Sequence, residues 1–224
     1  MGEVVDLREL RNKVAVFSDR ADAGRRLGEF LSELGVKASD VLAIPNGGIA
    51  VGLGVAKALG ARLWAAVVKK VLFPWTTEAG FGAVSWLGDS YIDEDMARSA
   101  SLTSREVEEA VERARREVKA RAEAFRAYLP AKLSGQVVLV DDGLATGYTM
   151  LVAVRSVMRL GAERVVVAVP TSPVEAARLL SEEVELVVVL NLRRGPLFAV
   201  ADAYRLWYDV PLSEALRLLE LANR

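Results

Sequence analysis

The sequence predicts an α/β fold built on a doubly wound, mainly parallel, Rossmann-like sheet. Short apolar runs without polar alternation are typical of strands that are covered on both faces, as in the centre of a parallel sheet. Segments with helical periodicity separate these runs along the 224-residue chain. Such alternation of strand and helix favours right-handed crossovers within one continuous sheet.

Two βαβ units carry this prediction. Each has a buried strand, a helix closed by a glycine and a second buried strand, and one further helix and strand follow the second unit. The predicted segments are strand 41–44, helix 49–59, strand 63–68, strand 137–140, helix 148–160, strand 165–169, helix 173–180 and strand 184–190.

The composition excludes several functions. Because the chain has no histidine and no cysteine, a histidine-based triad, an imidazole base, a thiolate nucleophile and a disulfide framework are ruled out. A net charge of −1, without a basic tract interleaved with aromatic residues, argues against nucleic-acid binding. With no signal peptide or membrane span evident, we expect a cytoplasmic protein with no membrane partner. Few Asn and Gln residues beside many Glu and Arg residues indicate a thermophilic source.

The most informative stretch covers residues 137–149, Val-Val-Leu-Val-Asp-Asp-Gly-Leu-Ala-Thr-Gly-Tyr-Thr. Asp141 and Asp142 follow a buried strand, so they lie at its carboxyl end, where open α/β sheets bind their ligands. The loop 145–149 then leads into a helix, and the N–H groups and dipole at a helix start favour a phosphate. The alternative is a plain strand-to-helix turn in which Asp142 caps and Gly143 bends.

This motif resembles the signature of the type I phosphoribosyltransferases, which bind 5-phosphoribosyl-1-pyrophosphate (PRPP) with magnesium. Within that family the chain most resembles a poorly characterised bacterial and archaeal group. The resemblance implies that Asp141 and Asp142 hold the ribose hydroxyls and that the loop wraps the 5-phosphate. The PRPP-binding residues of the loop would be Ala145, Thr146, Gly147, Tyr148 and Thr149.

Two residues depart from the family pattern. The hypoxanthine and guanine branch usually has an aspartate, able to act as a general base, where this chain has Ala145. An alanine is similar to the adenine branch and removes the simplest proton acceptor. Gly143 is smaller than the aliphatic residue that is usual at its position.

A second turn, residues 45–48, follows the first predicted strand at the equivalent edge of the sheet. In the family this turn binds pyrophosphate through backbone amides, often with a cis non-proline peptide. The resemblance therefore assigns Asn46, Gly47 and Gly48 to the pyrophosphate. Similar sequences usually carry an arginine at position 46, whereas Asn46 adds no charge. A plain tight turn is the alternative.

Lys69 and Lys70 close the predicted strand 63–68, where the family often has a basic residue that offsets charge on the departing pyrophosphate. We prefer Lys69 for this role, and solvated lysines are the alternative. The segment 71–92 that follows contains Gly, Pro and Thr and is predicted to be a mobile lid or hairpin. The family uses a flexible loop here to exclude water from the activated ribose.

The sequence features between residues 93 and 129 indicate structural roles. Thr103 and Glu106 predict a capping box for a charged helix that ends near Leu129. The apolar stripe of this helix packs on its own sheet or, alternatively, forms a homodimer contact. Residues 93–95 are acidic and predict the start of a short helix.

The chain ends are expected to form the small hood that the family places over the base. The predicted core spans residues 36–190, and residues 1–35 with 191–224 form the hood. In purine-type members a hood aromatic stacks on the base and an acid lies near the magnesium. By that resemblance Phe198 or Trp207 stacks on the base, and Asp209 faces Mg²⁺ together with the two adjacent acids, Asp141 and Asp142. An aromatic cluster that packs the hood onto the core is the alternative.

These observations lead to one hypothesis for the function and to two alternatives. The protein would be a phosphoribosyltransferase that uses Mg²⁺ and transfers the 5-phosphoribosyl group of PRPP to a nitrogenous base, with Asp141, Asp142 and Lys69 as catalytic residues. A regulator that binds PRPP or a nucleotide without turnover is the alternative. A hydrolase of similar fold would need a water-activating group, and none is evident.

Overall fold

The structure, a computed structural model, describes residues 2–195 and 198–224. Within them the chain forms a six-stranded parallel sheet and a three-stranded antiparallel sheet, flanked by helices. The strands are β1 (Glu3–Asp6), β2 (Asp40–Ala43), β3 (Arg62–Ala65), β4 (Val68–Leu72), β5 (Gly80–Ser85), β6 (Ser90–Ile92), β7 (Gln136–Val140), β8 (Arg164–Pro173) and β9 (Leu186–Arg193). The helices are α1 (Arg20–Glu33), α2 (Gly47–Leu59), α3 (Glu94–Ser99), α4 (Ser104–Ala124), α5 (Tyr148–Arg159), α6 (Val174–Ser181) and α7 (Leu212–Ala222).

The main sheet has the strand order β1-β9-β8-β7-β2-β3, and each neighbouring pair is parallel. The chain runs outward from β2 to β3 on one side and from β7 through β8 to β9 on the other. The connections therefore diverge between β2 and β7, whose last residues, Ala43 and Val140, are paired. This confirms the predicted doubly wound α/β fold, and such a divergence is where these sheets bind ligands.

Helices cover both faces of the main sheet. Successive side chains of β7 point to opposite faces, so Val138 and Val140 pack in one core while Val137 and Leu139 pack in the other. The first core also contains residues of α1, α2 and α7, and the second contains residues of α5 and α6. This burial on both sides explains why β7 reads as an uninterrupted apolar run.

The predicted strand 63–68 is two strands. β3 ends at Ala65, and β4 begins at Val68 and pairs with β5 in the antiparallel sheet. Lys69 and Lys70 therefore lie inside a strand of the small sheet, and the prediction that they end a parallel strand is wrong. The apolar run carries no turn signal, and the break arises because β4 pairs with β5 in an antiparallel hairpin.

The segment 71–92, predicted as a mobile lid or hairpin, contains the end of β4 and the strands β5 and β6, which form an antiparallel sheet. Phe81 is fully buried, and its ring packs against Phe73 with centroids 5.1 Å apart. Helix α4 packs on β4 and β5 through its buried face, which confirms intramolecular packing of the apolar stripe. Two connections of this segment, residues 73–79 and 86–89, lie outside regular strands.

Helix α4 begins at the predicted capping box. The backbone N–H of Thr103 donates to Oε2 of Glu106 at 2.8 Å, and the N–H of Glu106 donates to Oγ1 of Thr103 at 3.3 Å. The reciprocal bonds satisfy two donors at the helix start. This local prediction is confirmed.

The hood is smaller than the predicted residues 1–35 and 191–224. β1 is an edge strand of the main sheet, α1 packs on α2, and α7 packs beside β3. The hood therefore comprises residues 12–18 and 199–210. Its halves are joined by backbone bonds, including Phe17 N–H to the Ala203 oxygen and Arg205 N–H to the Phe17 oxygen, both at 2.9 Å.

Replacing Phe81 with alanine tests whether the segment 71–92 is an ordered part of the core. Because the ring is fully buried, Phe81→Ala should lower the free energy of unfolding by about 3–5 kcal/mol, measured by urea denaturation. Trp75→Ala is the control, since this ring is 65% exposed, and it should cost about 1 kcal/mol or less. Equally small effects of the two changes would contradict the packed hairpin.

Candidate functional site

A cavity of about 620 Å³ lies over the sheet edge where β2 and β7 end. It is bordered by the turn 45–48, the adjacent acids, the loop 145–149 and the hood. Of the predicted site residues it brings together Asn46, Gly47, Lys69, Asp141, Asp142, Ala145, Thr146, Gly147, Thr149, Trp207 and Asp209. Gly48, Tyr148 and Phe198 do not line it.

The glycines of the turn 45–48 allow the ends of the two strands to approach closely. A Cβ at Gly47 would lie 1.9 Å from Oδ2 of Asp142, and a Cβ at Gly48 would lie 2.9 Å from Oδ1 of Asp141. Larger residues would therefore displace the carboxylates. The peptide between Pro45 and Asn46 is cis, as the family resemblance implies.

Arg20 joins the hood to Asp142. Its Nε donates to Oδ2 of Asp142 at 2.7 Å, and its Nη1 donates to the carbonyl oxygen of Tyr208 at 2.8 Å. The guanidinium carbon lies 3.8 Å from the centroid of the Trp207 ring, a cation–π contact. Tyr204 adds a bond from its hydroxyl to the Asp142 carbonyl oxygen at 2.5 Å. Arg20 thus occupies one face of the ring that was predicted to stack on a base.

The two acids are electrostatically coupled. Burial raises the pKa of Asp141 well above its ordinary value, the charge of Asp142 raises it further, and the charge of Lys70 lowers it. Burial also raises the pKa of Asp142, against the opposing effect of Arg20. A cation or a hydroxyl donor in the cavity would favour the ionised forms of both carboxyl groups.

The two lysines of β4 differ in their partners. Nζ of Lys69 forms an ion pair with Oε2 of Glu117 on α4 at 2.8 Å, so its charge is offset. Lys70 also lines the cavity, is exposed, and acts on the charge of Asp141. Both lysines therefore line the cavity, and they differ in that Lys69 is paired with Glu117.

The loop 145–149 presents the start of α5 to the cavity. Gly147 caps this helix with φ at +85°, a left-handed conformation that favours glycine. The first turn of α5 contains no acidic residue, and the cap makes no side-chain hydrogen bond. The first N–H groups of a helix lack partners within it, so this start is suited to an anion.

Gly143 has a packing explanation. A Cβ at this position would lie 2.5 Å from Cγ1 of the hood residue Val200 and 2.9 Å from Cγ2 of Thr171. Val200 and Thr171 thus take up the space that a side chain at this position would need. A glycine at position 143, where the family usually has an aliphatic residue, therefore makes room for the hood residue Val200 and leaves the adjacent acids in place.

The side chains of Tyr148 and Phe198 lie on the other side of the loop. The Tyr148 hydroxyl donates to Asp93, and its ring lies 5.0 Å from that of Tyr91. Tyr148 and Phe198 line a separate cavity. Phe198 and Trp207 therefore line different cavities, and residues of the loop 145–149 border both cavities. Asp93 also caps α3 by accepting the Met96 N–H at 2.8 Å, as predicted.

Two arginines at the cavity were absent from the sequence-based prediction. Arg20 follows the cap of α1, and Arg121 is one of many charged residues on α4. Arg121 Nη2 donates to Oδ1 of Asn46 at 2.7 Å, although 75 residues separate them. No local signal distinguishes either arginine from the solvated ones on the same helices.

Comparisons with known proteins place the chain among related sequences. No protein-family model matches it. Proteins of two Mycobacterium tuberculosis strains, CDC 1551 / Oshkosh and H37Rv, both named "Putative phosphoribosyl transferase", are 37% identical to it over 214 residues. The alignment covers 93% of this chain and 47% of each relative, so the chain spans about half the length of the curated relatives it matches.

A solved structure is similar over nearly the whole chain. The crystal structure of the protein TT1426 from Thermus thermophilus is 35% identical in sequence and has a TM-score of 0.73. The match covers 91% of this chain and 97% of that one. The two proteins therefore share their architecture over most of both chains.

The fold and the cavity define a doubly wound α/β protein with a cavity at the topological switch point. The motif 137–149 resembles the signature of the type I phosphoribosyltransferases, and the chain is similar over 93% of its length to relatives named as putative phosphoribosyl transferases. Separately, the described part of the chain contains no helix with the length and apolarity needed to cross a bilayer.

The raised pKa of Asp141 predicts a pH-dependent stability. The folded protein binds this proton more tightly than the unfolded chain, so stability falls as the pH rises through the folded pKa. Asp141→Asn should therefore be more stable than the parent at about pH 8 and equally stable at about pH 3, measured by urea denaturation.

Asp93 is a control because its pKa is lowered, whereas the pKa of Asp141 is raised. The bond from Tyr148 lowers the pKa of Asp93, so its ionised form stabilises the fold above its unfolded pKa. Asp93→Asn should be less stable than the parent at about pH 8 and similar to it at about pH 3. A loss of stability at high pH in Asp141→Asn would contradict the raised pKa.

Proposed function

We propose that the protein transfers the 5-phosphoribosyl group of PRPP to a nitrogen of a small acceptor and releases pyrophosphate. One observation carries this proposal: the adjacent acids, the start of α5 and the turn 45–48 border the same cavity. In the family these elements bind the ribose, the 5-phosphate and the pyrophosphate. Their convergence at the end of β2 and β7 supports the same three roles here.

The proposed reaction exchanges two bonds at the anomeric carbon. The acceptor nitrogen bonds to this carbon as the bond to the pyrophosphate oxygen breaks, and pyrophosphate takes the electron pair. Positive charge develops on the ribose ring, where the negative field of Asp141 and Asp142 would stabilise it. Arg20 would hold Asp142 in position. Because Ala145 cannot accept a proton, an acceptor that is already anionic would need no general base at this position.

Mg²⁺ is the proposed cofactor. In residues 2–195 and 198–224, no group of three or more acidic side chains is arranged to hold a metal alone. Asp141, Asp142 and Asp209 nevertheless border the cavity with carboxylate oxygens. Mg²⁺ is often bound by one or two carboxylates together with substrate phosphates and water. These acids therefore suit an ion that is bound together with the diphosphate of PRPP.

A nucleobase is the proposed acceptor. Trp207 borders the cavity and is 38% exposed, so part of its ring is accessible beside Arg20. A planar base could stack on this ring or on the guanidinium that covers it. Phe198 is not part of this proposal because it lines the other cavity.

Pyrophosphate release from PRPP and Mg²⁺ tests the function across purine, pyrimidine and nicotinate acceptors. The parent should turn over at least one of them. Asp141→Asn removes a charge from the ribose site and should lower kcat/KM about 10- to 100-fold. Asp95→Asn is the matched control, since that side chain is 90% exposed on α3, and it should behave as the parent.

The same assay separates the alternatives. Tight PRPP binding without turnover on any acceptor would support the non-catalytic regulator. If PRPP does not bind, or binds Asp141→Asn as well as the parent, the assignment of the acids is wrong.

A further inference from the structure

Arg121 is a cation at the cavity without a neutralising partner in the described structure. It lies in the last turn of α4 and lines the cavity. No carboxylate of the described residues is within 4.0 Å of its guanidinium, whereas Arg20 is paired with Asp142 and Lys69 with Glu117. Its Nε is buried and has no hydrogen-bond partner among those residues.

An arginine in this state is costly to the fold. A buried donor without a partner, and a buried charge without a counter-charge, both lower stability. The guanidinium nevertheless stays protonated in proteins, because its pKa is far above neutrality. Burial lowers the pKa of Arg121 without removing that charge. Such an unpaired cation in a cavity indicates an anionic ligand.

Asn46 holds Arg121 beside the turn 45–48. Its Oδ1 accepts from Nη2 of Arg121 at 2.7 Å, and its Nδ2 donates to the carbonyl oxygen of Val210 at 2.7 Å. Asn46 therefore bridges α4 and the hood with both of its polar atoms. The turn 45–48 has no positively charged residue of its own, and Arg121 places a positive charge beside it.

We propose that Arg121, positioned by Asn46, binds the diphosphate of PRPP and stabilises the departing pyrophosphate. This inference rests on the proposed function. The planar guanidinium offers several donors in a fork that matches phosphate oxygens. Because one of its nitrogens is already held by Asn46, the fork is oriented before the ligand binds. Asn46 is thus a positioning residue, and Arg121 is the residue that contacts the diphosphate.

Calorimetric titrations of the full chain with two probes test this assignment. Inorganic pyrophosphate with Mg²⁺ reports on the turn, and ribose 5-phosphate reports on the loop 145–149. Arg121→Gln should weaken pyrophosphate binding about 10- to 100-fold and leave the ribose 5-phosphate affinity unchanged. Arg126→Gln is the matched control, since its side chain is 78% exposed and paired with Glu123, and it should bind both probes as the parent does.

A double-mutant cycle tests the role of Asn46. Asn46→Ala should weaken pyrophosphate binding less than Arg121→Gln does. Because Asn46 acts through Arg121, the double variant should lose no more than Arg121→Gln alone. Additive losses would show that Asn46 binds the ligand independently and would overturn the positioning role.

The outcomes separate this inference from the proposed function. Unchanged pyrophosphate affinity in Arg121→Gln, or an equal loss for both probes, overturns the role of Arg121 while PRPP binding by the parent stands. A parent that binds neither probe contradicts the proposed function as well. Thermal unfolding checks the fold, and if Arg121→Gln unfolds, a pyrophosphate-specific loss in Arg121→Lys decides the question.

Discussion

The parallel pairing of β2 with β7 is the constraint on which the rest of the site depends. Ala43 and Val140 end these strands side by side, and the chain leaves them in opposite directions. The turn 45–48 and the adjacent acids are therefore brought together at one edge. Because Gly47 approaches Oδ2 of Asp142 so closely, the end of β2 leaves no room for a side chain there. The pairing of β2 with β7 therefore requires a residue without a side chain at position 47.

Arg20 extends this constraint to the hood. It donates hydrogen bonds to Asp142 and to the Tyr208 carbonyl oxygen and lies over the Trp207 ring, so one side chain links Asp142 to the aromatic segment. The alternative interpretation of the hood aromatics, a cluster that packs onto the core, describes Tyr204, whose ring is buried beside Phe17. Trp207 is both part of this cluster and a wall of the cavity.

The charges around the cavity fall into two groups. Arg20 with Asp142, and Lys69 with Glu117, form ion pairs within the protein. Asp141, Lys70, Arg121 and Asp209 line the cavity without an ion pair among the described residues. A ligand that carries phosphates, hydroxyls and a divalent cation complements this second group. Because paired and unpaired residues have the same charged side chains, residue type alone does not identify the residues that are free to bind a ligand.

The sequence by itself determined the fold class, the position of the acids after β7 and the helix start that follows them. These features depend on contiguous residues: an apolar run, two carboxylates, a glycine and the next helix are all read within a dozen positions. The tertiary structure alone decided that β4 leaves the main sheet, that Phe198 and Trp207 face different cavities, and that Arg20 and Arg121 enter the site. The two arginines reach the site through contacts with residues far away in the chain: Arg121 and Asn46 are 75 positions apart, and Arg20 and Tyr208 are 188 positions apart. Periodicity and local propensity contain no information about such contacts. The chain has many similar charged and aromatic residues, and the packing of the whole chain determines which of them are in contact.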